Sequence, residues 1–114
     1  MFEALSWAEP KLSEDKPRYF MEIGYPDQIV KAVGKRMDMF DVVLPTRFGL
    51  HGTEFTSEGR KILTNAEFGH NRAGIDPLCD CMVCKTYSRD YLCHLCRQEE
   101  MAGLSFVSYH NLKF

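Results

Sequence analysis

Arg18-Tyr19-Phe20-Met21-Glu22-Ile23-Gly24 and Met39-Phe40-Asp41-Val42-Val43-Leu44-Pro45 are the two runs whose reading decides the fold. The first is rich in aromatic and β-branched residues and stops at a glycine, which predicts a strand over 18–23. The second is apolar except for Asp41 and is closed by proline, which predicts a strand over 39–44. Between them, Tyr25-Pro26-Asp27 predicts a helix start, with proline at the first helical position and an acid in the first turn. Ile29, Val30, Ala32, Val33 and Met37 form its apolar face, and Lys31, Lys35 and Arg36 its wet side. A strand, a helix of about three turns and a strand make a βαβ unit with parallel strands. Both runs are nearly continuously apolar, as in a parallel sheet covered on both faces. Two strands do not form a stable sheet alone. The expectation is therefore an α/β fold whose remaining strands come from another chain, a larger barrel or an open sheet.

Working outward, Phe2 to Ala8 reads as a short helix ended by Glu9-Pro10, because the residue before proline is pushed out of the helical region. Residues 11–17 are charged and turn-like. After Pro45 the character changes, which places a boundary between residues 1–45 and 46–114. Residues 46–52 read as a loop carrying Arg47, His51 and two glycines. Residues 53–56 and 61–64 flank Ser57-Glu58-Gly59 and predict a hairpin. Residues 65–77 are polar and turn-rich. An amphipathic helix is predicted over 86–101, with Tyr87, Tyr91, Leu92, Leu95 and Cys96 inward and Arg89, Asp90, Arg97 and Glu100 outward. Gly103 reads as its C-terminal cap. Residues 104–109 read as extended and lead to His110.

Composition narrows the class. With 114 residues, 45% hydrophobic and 26% charged, the chain reads as one globular domain, of a size that a metal staple helps. A net charge of −2 argues against a strongly basic nucleic-acid module, though not against a local patch. The N-terminus lacks a basic lead and a long apolar run, so no signal peptide is expected. No stretch reaches the apolar length of a membrane span, so no membrane partner is expected. All five cysteines lie between positions 79 and 96. An odd, clustered set without a secretion signal reads as metal ligation in a reducing compartment, not as disulfides.

Cys79-Asp80-Cys81-Met82-Val83-Cys84 puts three thiols into six residues. Packing does not require that density. A tetrahedral zinc ion does, because its ligands converge at about 2.0–2.3 Å. The fourth ligand is open among Cys93, His94, Cys96 and His110. Two C-x-x-C pairs, 81/84 and 93/96, lie closer together than in common zinc ribbons and would leave Cys79 idle. Cys93 and Cys96 also read plainly as small buried hydrophobes. A set of Cys79, Cys81, Cys84 and His110 would tie loop, helix and C-terminus together. Four protein ligands leave no open position, so such a site would be structural.

Asp41 is the other anomaly. A lone carboxylate in a covered strand is costly unless paired or used. The bland reading is a buried, satisfied group, with Arg47 as a partner. The sharper reading is catalytic, since α/β barrels place reactive groups at the C-terminal ends of their strands. Asp38 reads as a turn residue, and Glu22 stays open between structure and function.

Taken together, Arg18-Tyr19-Phe20-Met21-x-x-Gly24, Asp38-Met39-Phe40-Asp41-Val42-Val43-Leu44-Pro45-Thr46-Arg47, Asp76-Pro77-x-Cys79-x-Cys81-x-x-Cys84, Tyr87-Ser88-Arg89-x-Tyr91-Leu92 and His110-Asn111-Leu112-x-Phe114 resemble the C-terminal part of the tRNA-guanine transglycosylases. The resemblance covers nearly the whole chain. It implies the C-terminal portion of a (β/α)8 TIM barrel with a zinc-binding subdomain: the last βαβ portion over 1–45, and a tRNA-contacting loop with the zinc subdomain over 46–114.

The implied reaction exchanges guanine at the wobble position of GUN-anticodon tRNAs for a 7-deazaguanine base, in queuosine biosynthesis. It runs by double displacement through Asp41. Met21 would pack against the base. Glu22, Ile23, Gly24, Tyr25, Pro26, Asp27 and Gln28, with Thr46, Arg47, Phe48, Gly49 and Leu50, match tRNA-contacting stretches. Cys79, Cys81, Cys84 and His110 match the ligands of one structural Zn2+. A homodimer through the zinc subdomain and a cytoplasmic location also follow from the resemblance. The chain departs from the family pattern at Glu22, Val42 and Leu50, where glycine, cysteine and a basic residue are usual. The general acid/base aspartate belongs to a part not present in this sequence, so this polypeptide alone is expected to be inactive. Alternatives from other classes are a non-catalytic accessory subunit of the same family and a zinc-stapled protein-interaction module.

Overall fold

The two apolar runs pair in parallel, as expected, but over three residues each. In the computed structural model, which describes residues 1–114, β1 (Tyr19–Met21) lies beside β2 (Met39–Asp41), with Tyr19 opposite Met39, Phe20 opposite Phe40 and Met21 opposite Asp41. β1 ends early because Glu22 takes a left-handed backbone, φ 59°. α2 (Pro26–Val33) connects the strands and has proline in its first turn, where the missing N–H costs nothing. α1 (Phe2–Ala8) runs into a 3-10 turn, Glu9–Lys11, that holds Pro10. Arg18 is buried and donates to the carbonyls of Leu12 and Ser13. Asp38, expected as a plain turn residue, accepts from the Arg18 amide at 2.8 Å.

These elements form a unit, Met1–Leu44. Its core is Leu5, Ala32 and Met37, with Phe2, Phe20 and Phe40 packed against them. The pleat sends Phe20 and Phe40 inward and leaves Tyr19, Met21, Met39 and Asp41 on an exposed face. Of the expected apolar face of α2, Ala32 and Met37 are buried, whereas Val30 is 72% exposed and Val33 55%.

The second unit is Pro45–Phe114. Five expectations fail in or at the edge of it. The strand expected to run to Leu44 and the loop expected over 46–52 give way to a helix, α3 (Leu44–Leu50). Pro45 is its second residue, so it starts a helix and does not close a strand. The helix expected over 86–101 is shorter, α5 (Arg89–Arg97), and a separate helix, α4 (Met82–Thr86), precedes it within the thiol stretch. α5 stops where Glu99, at φ 56°, turns the chain. The extended segment over 104–109 is helical, inside α6 (Met101–Lys113). Gly103 is therefore no cap. It lies in the first turn of α6, where a Cβ would come within 2.5 Å of the Leu95 Cβ.

The hairpin forms as expected, β3 (Thr53–Glu54) against β4 (Lys61–Ile62), antiparallel. Gly59 supplies the positive φ of its loop, 107°. Leu63, Phe68, Ile75, Val83, Leu92 and Val107 fill the core together with Cys81, Cys93 and Cys96.

Candidate functional site

The second unit carries a cluster built by three elements. Cys81 caps α4, its Sγ accepting the Cys84 amide at 3.4 Å. That cap turns the chain so that Cys79, Cys81 and Cys84 face one point. α6 brings His110 to the same point from the other end of the unit. One donor atom from each of these four residues lies within 4.8 Å of the others. The His110 Nδ1 is 3.6 Å from the Cys81 sulfur and 3.3 Å from that of Cys84. Thiolate and imidazole ligands of one tetrahedral zinc stand about 3.5 Å apart, by the bond lengths of such sites. The donor set and its spacing therefore fit zinc.

Electrostatics point the same way. Burial pushes the Cys84 thiol up to about 12, and the neighbouring Cys81 and Cys79 add to it. Burial likewise raises the Cys79 thiol. Such a cluster resists ionising until a cation joins it, and a divalent metal supplies that charge. Burial lowers the pKa of His110, favouring the neutral ring a metal needs. The His110 Nε2 lies 2.7 Å from the Phe55 carbonyl, which only accepts. Nε2 therefore carries the proton, and Nδ1 presents its lone pair to the sulfurs.

Of the four candidates for fourth ligand, only His110 joins the cluster. Cys93 and Cys96 are buried in the apolar core, the plain reading of both. Burial raises the Cys96 thiol to about 11, as suits a packed neutral side chain. His94 is exposed.

In the first unit, Asp41 is exposed at the C-terminal end of β2. Its Oδ1 accepts the Glu22 amide at 3.2 Å. The Tyr19 hydroxyl bonds the same carboxylate, which holds the phenol above its ordinary value. Met21 is the parallel neighbour of Asp41 and is 63% exposed. The left-handed turn at Glu22 aims its amide at Asp41. Of the stretch at 22–28, Ile23 and Gly24 are buried and Glu22, Pro26 and Asp27 exposed; Tyr25 and Gln28 lie between.

The stretch at 46–50 lies on α3. Arg47, Thr46 and Leu50 are exposed, Phe48 is half-buried, and Gly49 is buried against Ser108. Phe48 packs edge-on against Phe55, and the Arg60 guanidinium sits over its ring.

Sequence reasoning missed three groups. Tyr19 reads only as a strand residue, although its place two before Met21 puts both on the face that carries Asp41. Arg89 reads as a wet residue of α5 but is buried. Its Nε lies 3.2 Å from a Glu54 carboxylate that is fully buried, its guanidinium stacks over Phe68, and it donates to the Ile75 carbonyl. Asn111 carried no reading of its own, and its three backbone contacts have no local sequence signal.

A family model described as queuine tRNA-ribosyltransferase matches residues 1–114. Proteins named queuine tRNA-ribosyltransferase from Halothermothrix orenii and Latilactobacillus sakei are each 46% identical over all 114 residues, which make up 31% and 30% of their own lengths. The protein of the same name from Ruminiclostridium cellulolyticum is 45% identical, with 31% of its length covered. The chain thus spans about a third of the relatives it matches. A match over every residue, carrying the motifs at 18–24, 38–47 and 76–84, is family membership: the chain belongs to the queuine tRNA-ribosyltransferase family.

Proposed function

We propose that this chain is the C-terminal part of a tRNA-guanine transglycosylase, and that Asp41 is its nucleophile. The observation that carries the reading is the setting of Asp41. Its carboxylate stands exposed at a strand end, beside Met21, held by the Glu22 amide and the Tyr19 hydroxyl. A nucleophile needs that combination of access and fixed direction.

In the proposed reaction the Asp41 carboxylate attacks the anomeric carbon of the wobble guanosine. The glycosidic bond breaks and guanine leaves with its electron pair. A 7-deazaguanine base then attacks from the face that guanine left, opposite Asp41, and the bond between Asp41 and the sugar breaks, so configuration is retained, as in retaining glycosidases. The nucleotide must leave the anticodon stack to reach the carboxylate. Met21 gives the base an apolar surface. Arg47, exposed on α3, is suited to a phosphate, with the neighbouring positions of 46–50 and the stretch 22–28 as the rest of the tRNA contact. Zinc held by Cys79, Cys81, Cys84 and His110 contributes structure alone, because four protein ligands fill its shell. The parallel pair β1–β2 with α2 is the last portion of a (β/α)8 barrel in this reading. A homodimer through the zinc subdomain and a cytoplasmic location belong to it as well.

The test is to complement the chain with the remaining barrel portion and trap the tRNA adduct on a denaturing gel. The complemented wild type is expected to form an adduct that Asp41→Asn abolishes. The chain alone is expected to form none. An adduct that survives Asp41→Asn removes Asp41 from the nucleophile role.

A further inference from the structure

We propose that Asn111 is a positioning residue for the metal centre: it fixes the backbone carbonyl that orients the imidazole of His110. This rests on the reading of the three thiols and His110 as a metal site. A ligating imidazole needs its second nitrogen held, because that bond sets both the tautomer and the ring angle. For His110 the holder is the Phe55 carbonyl, 2.7 Å from Nε2. Phe55 lies just past the paired residues of β3: the Thr56 amide beyond it donates to the Gly59 carbonyl at 3.2 Å, but no bond of the hairpin holds the Phe55 amide.

Asn111 does. Its Oδ1 accepts the Phe55 amide at 2.9 Å. Its Nδ2 donates to the Thr53 carbonyl at 2.9 Å and to the Pro45 carbonyl at 3.1 Å. One side-chain amide, 4% exposed, thus spends its acceptor and both donors on three backbone groups. Two of those groups bracket Glu54, so the strand end is pinned on either side of a single residue. Asn111 follows His110 in α6, so the ring and the clamp that aims it share one helical turn. No other side-chain type of this size both accepts once and donates twice. Aspartate keeps the acceptor and loses the donors; leucine loses all three.

The test uses the full chain with Co2+ as the probe. Wild type, Asn111→Leu, Asn111→Asp and Val107→Ala are titrated with Co2+ against a competing chelator, and d–d bands and His110 15N shifts are recorded. Both Asn111 variants are expected to bind Co2+ about 10–100-fold more weakly. Their d–d bands are expected to shift, and the His110 ring to lose its fixed Nε2–H form. Val107→Ala cuts the core from the same helix without touching the β3 backbone. It is expected to lower stability while leaving bands and tautomer as in wild type. Should Asn111→Leu fail to fold, the near-isosteric Asn111→Asp carries the comparison. Unchanged bands, tautomer and affinity in the Asn111 variants, or an equal band shift in Val107→Ala, overturn the role of Asn111 alone. A wild-type chain that takes up no Co2+ overturns the metal reading itself.

Discussion

Glu54 is the residue whose environment most contradicts its chemistry. Its carboxylate is fully buried, and neither oxygen has a hydrogen bond. Arg89 lies at ion-pair distance, 3.2 Å, but out of line for a hydrogen bond. Burial raises Glu54 from its ordinary 4.5 to about 7, against the pull of Arg89 and Lys61. The folded chain therefore holds this proton more tightly than the unfolded chain does. The stability it contributes is complete below pH 4.5 and is lost as pH rises through about 7. The difference is on the order of 3 kcal/mol. Denaturant unfolding of wild type and Glu54→Gln at saturating metal isolates this group, since other titrations cancel between the two. Wild type is expected to weaken relative to Glu54→Gln between pH 5 and pH 8. A constant difference across that range removes the assignment. Arg89→Met, which strands the buried charge, is expected to cost about 3–5 kcal/mol near pH 8. Adding Glu54→Gln to it is expected to restore most of that loss.

At the scale of elements, α6 turns on Gly103. Leu104, Phe106, Val107 and Tyr109 look like strand residues one by one, which is why the stretch reads as extended. The helical signal lies instead in Gly103, Val107, His110 and Asn111, all buried and spaced by four, three and one. It is weak in sequence because the buried set mixes a glycine, an apolar residue and two polar ones. Local features carried the parallel β1–β2 pair, the hairpin and the thiol loop, since those depend on patterns a few residues long. The helical start at Pro45, the break between α4 and α5 and the burial of Arg89 depend on tertiary contacts and were not legible.

The same reasoning covers the candidate site. Spacing brought out the three thiols, the family resemblance selected His110 and Asp41, and Asn111 escaped because its partners are 56 to 66 residues away. Gly103 tests the helix packing. Helix propensity alone would favour Gly103→Ala by about 1 kcal/mol. The new methyl would meet the Leu95 Cβ at 2.5 Å, a rigid atom, and overpacking costs about 1–3 kcal/mol. Sterics win by this count, so Gly103→Ala is expected to lower the unfolding midpoint. A raised midpoint would mean that α5 and α6 do not approach so closely.

For the whole molecule, the question is what holds each unit. Met1–Leu44 buries four apolar side chains, Leu5, Ile23, Ala32 and Met37, and has a two-stranded sheet, which is marginal in water. Trp7, Met21 and Val30 are each more than 60% exposed. Pro45–Phe114 has nine clustered core residues, one of them Cys81, and its α4 and α6 meet at the thiol–imidazole cluster. Structural zinc supplies about 10 kcal/mol or more in small metal-bound folds. That rivals the entire stability of a typical domain, about 5–15 kcal/mol. Removing the metal is therefore expected to unfold the second unit, while the first has nothing to lose by it. Hydrogen exchange read by mass spectrometry, with zinc and then with a chelator, checks this. Peptides spanning 82–113 are expected to be protected with zinc and to exchange rapidly without it. Peptides spanning 19–41 are expected to exchange quickly in both states, because their amides belong to a small core with no metal. Loss of protection in both sets together would instead show one cooperative fold in which the zinc cluster also holds the strand that carries Asp41.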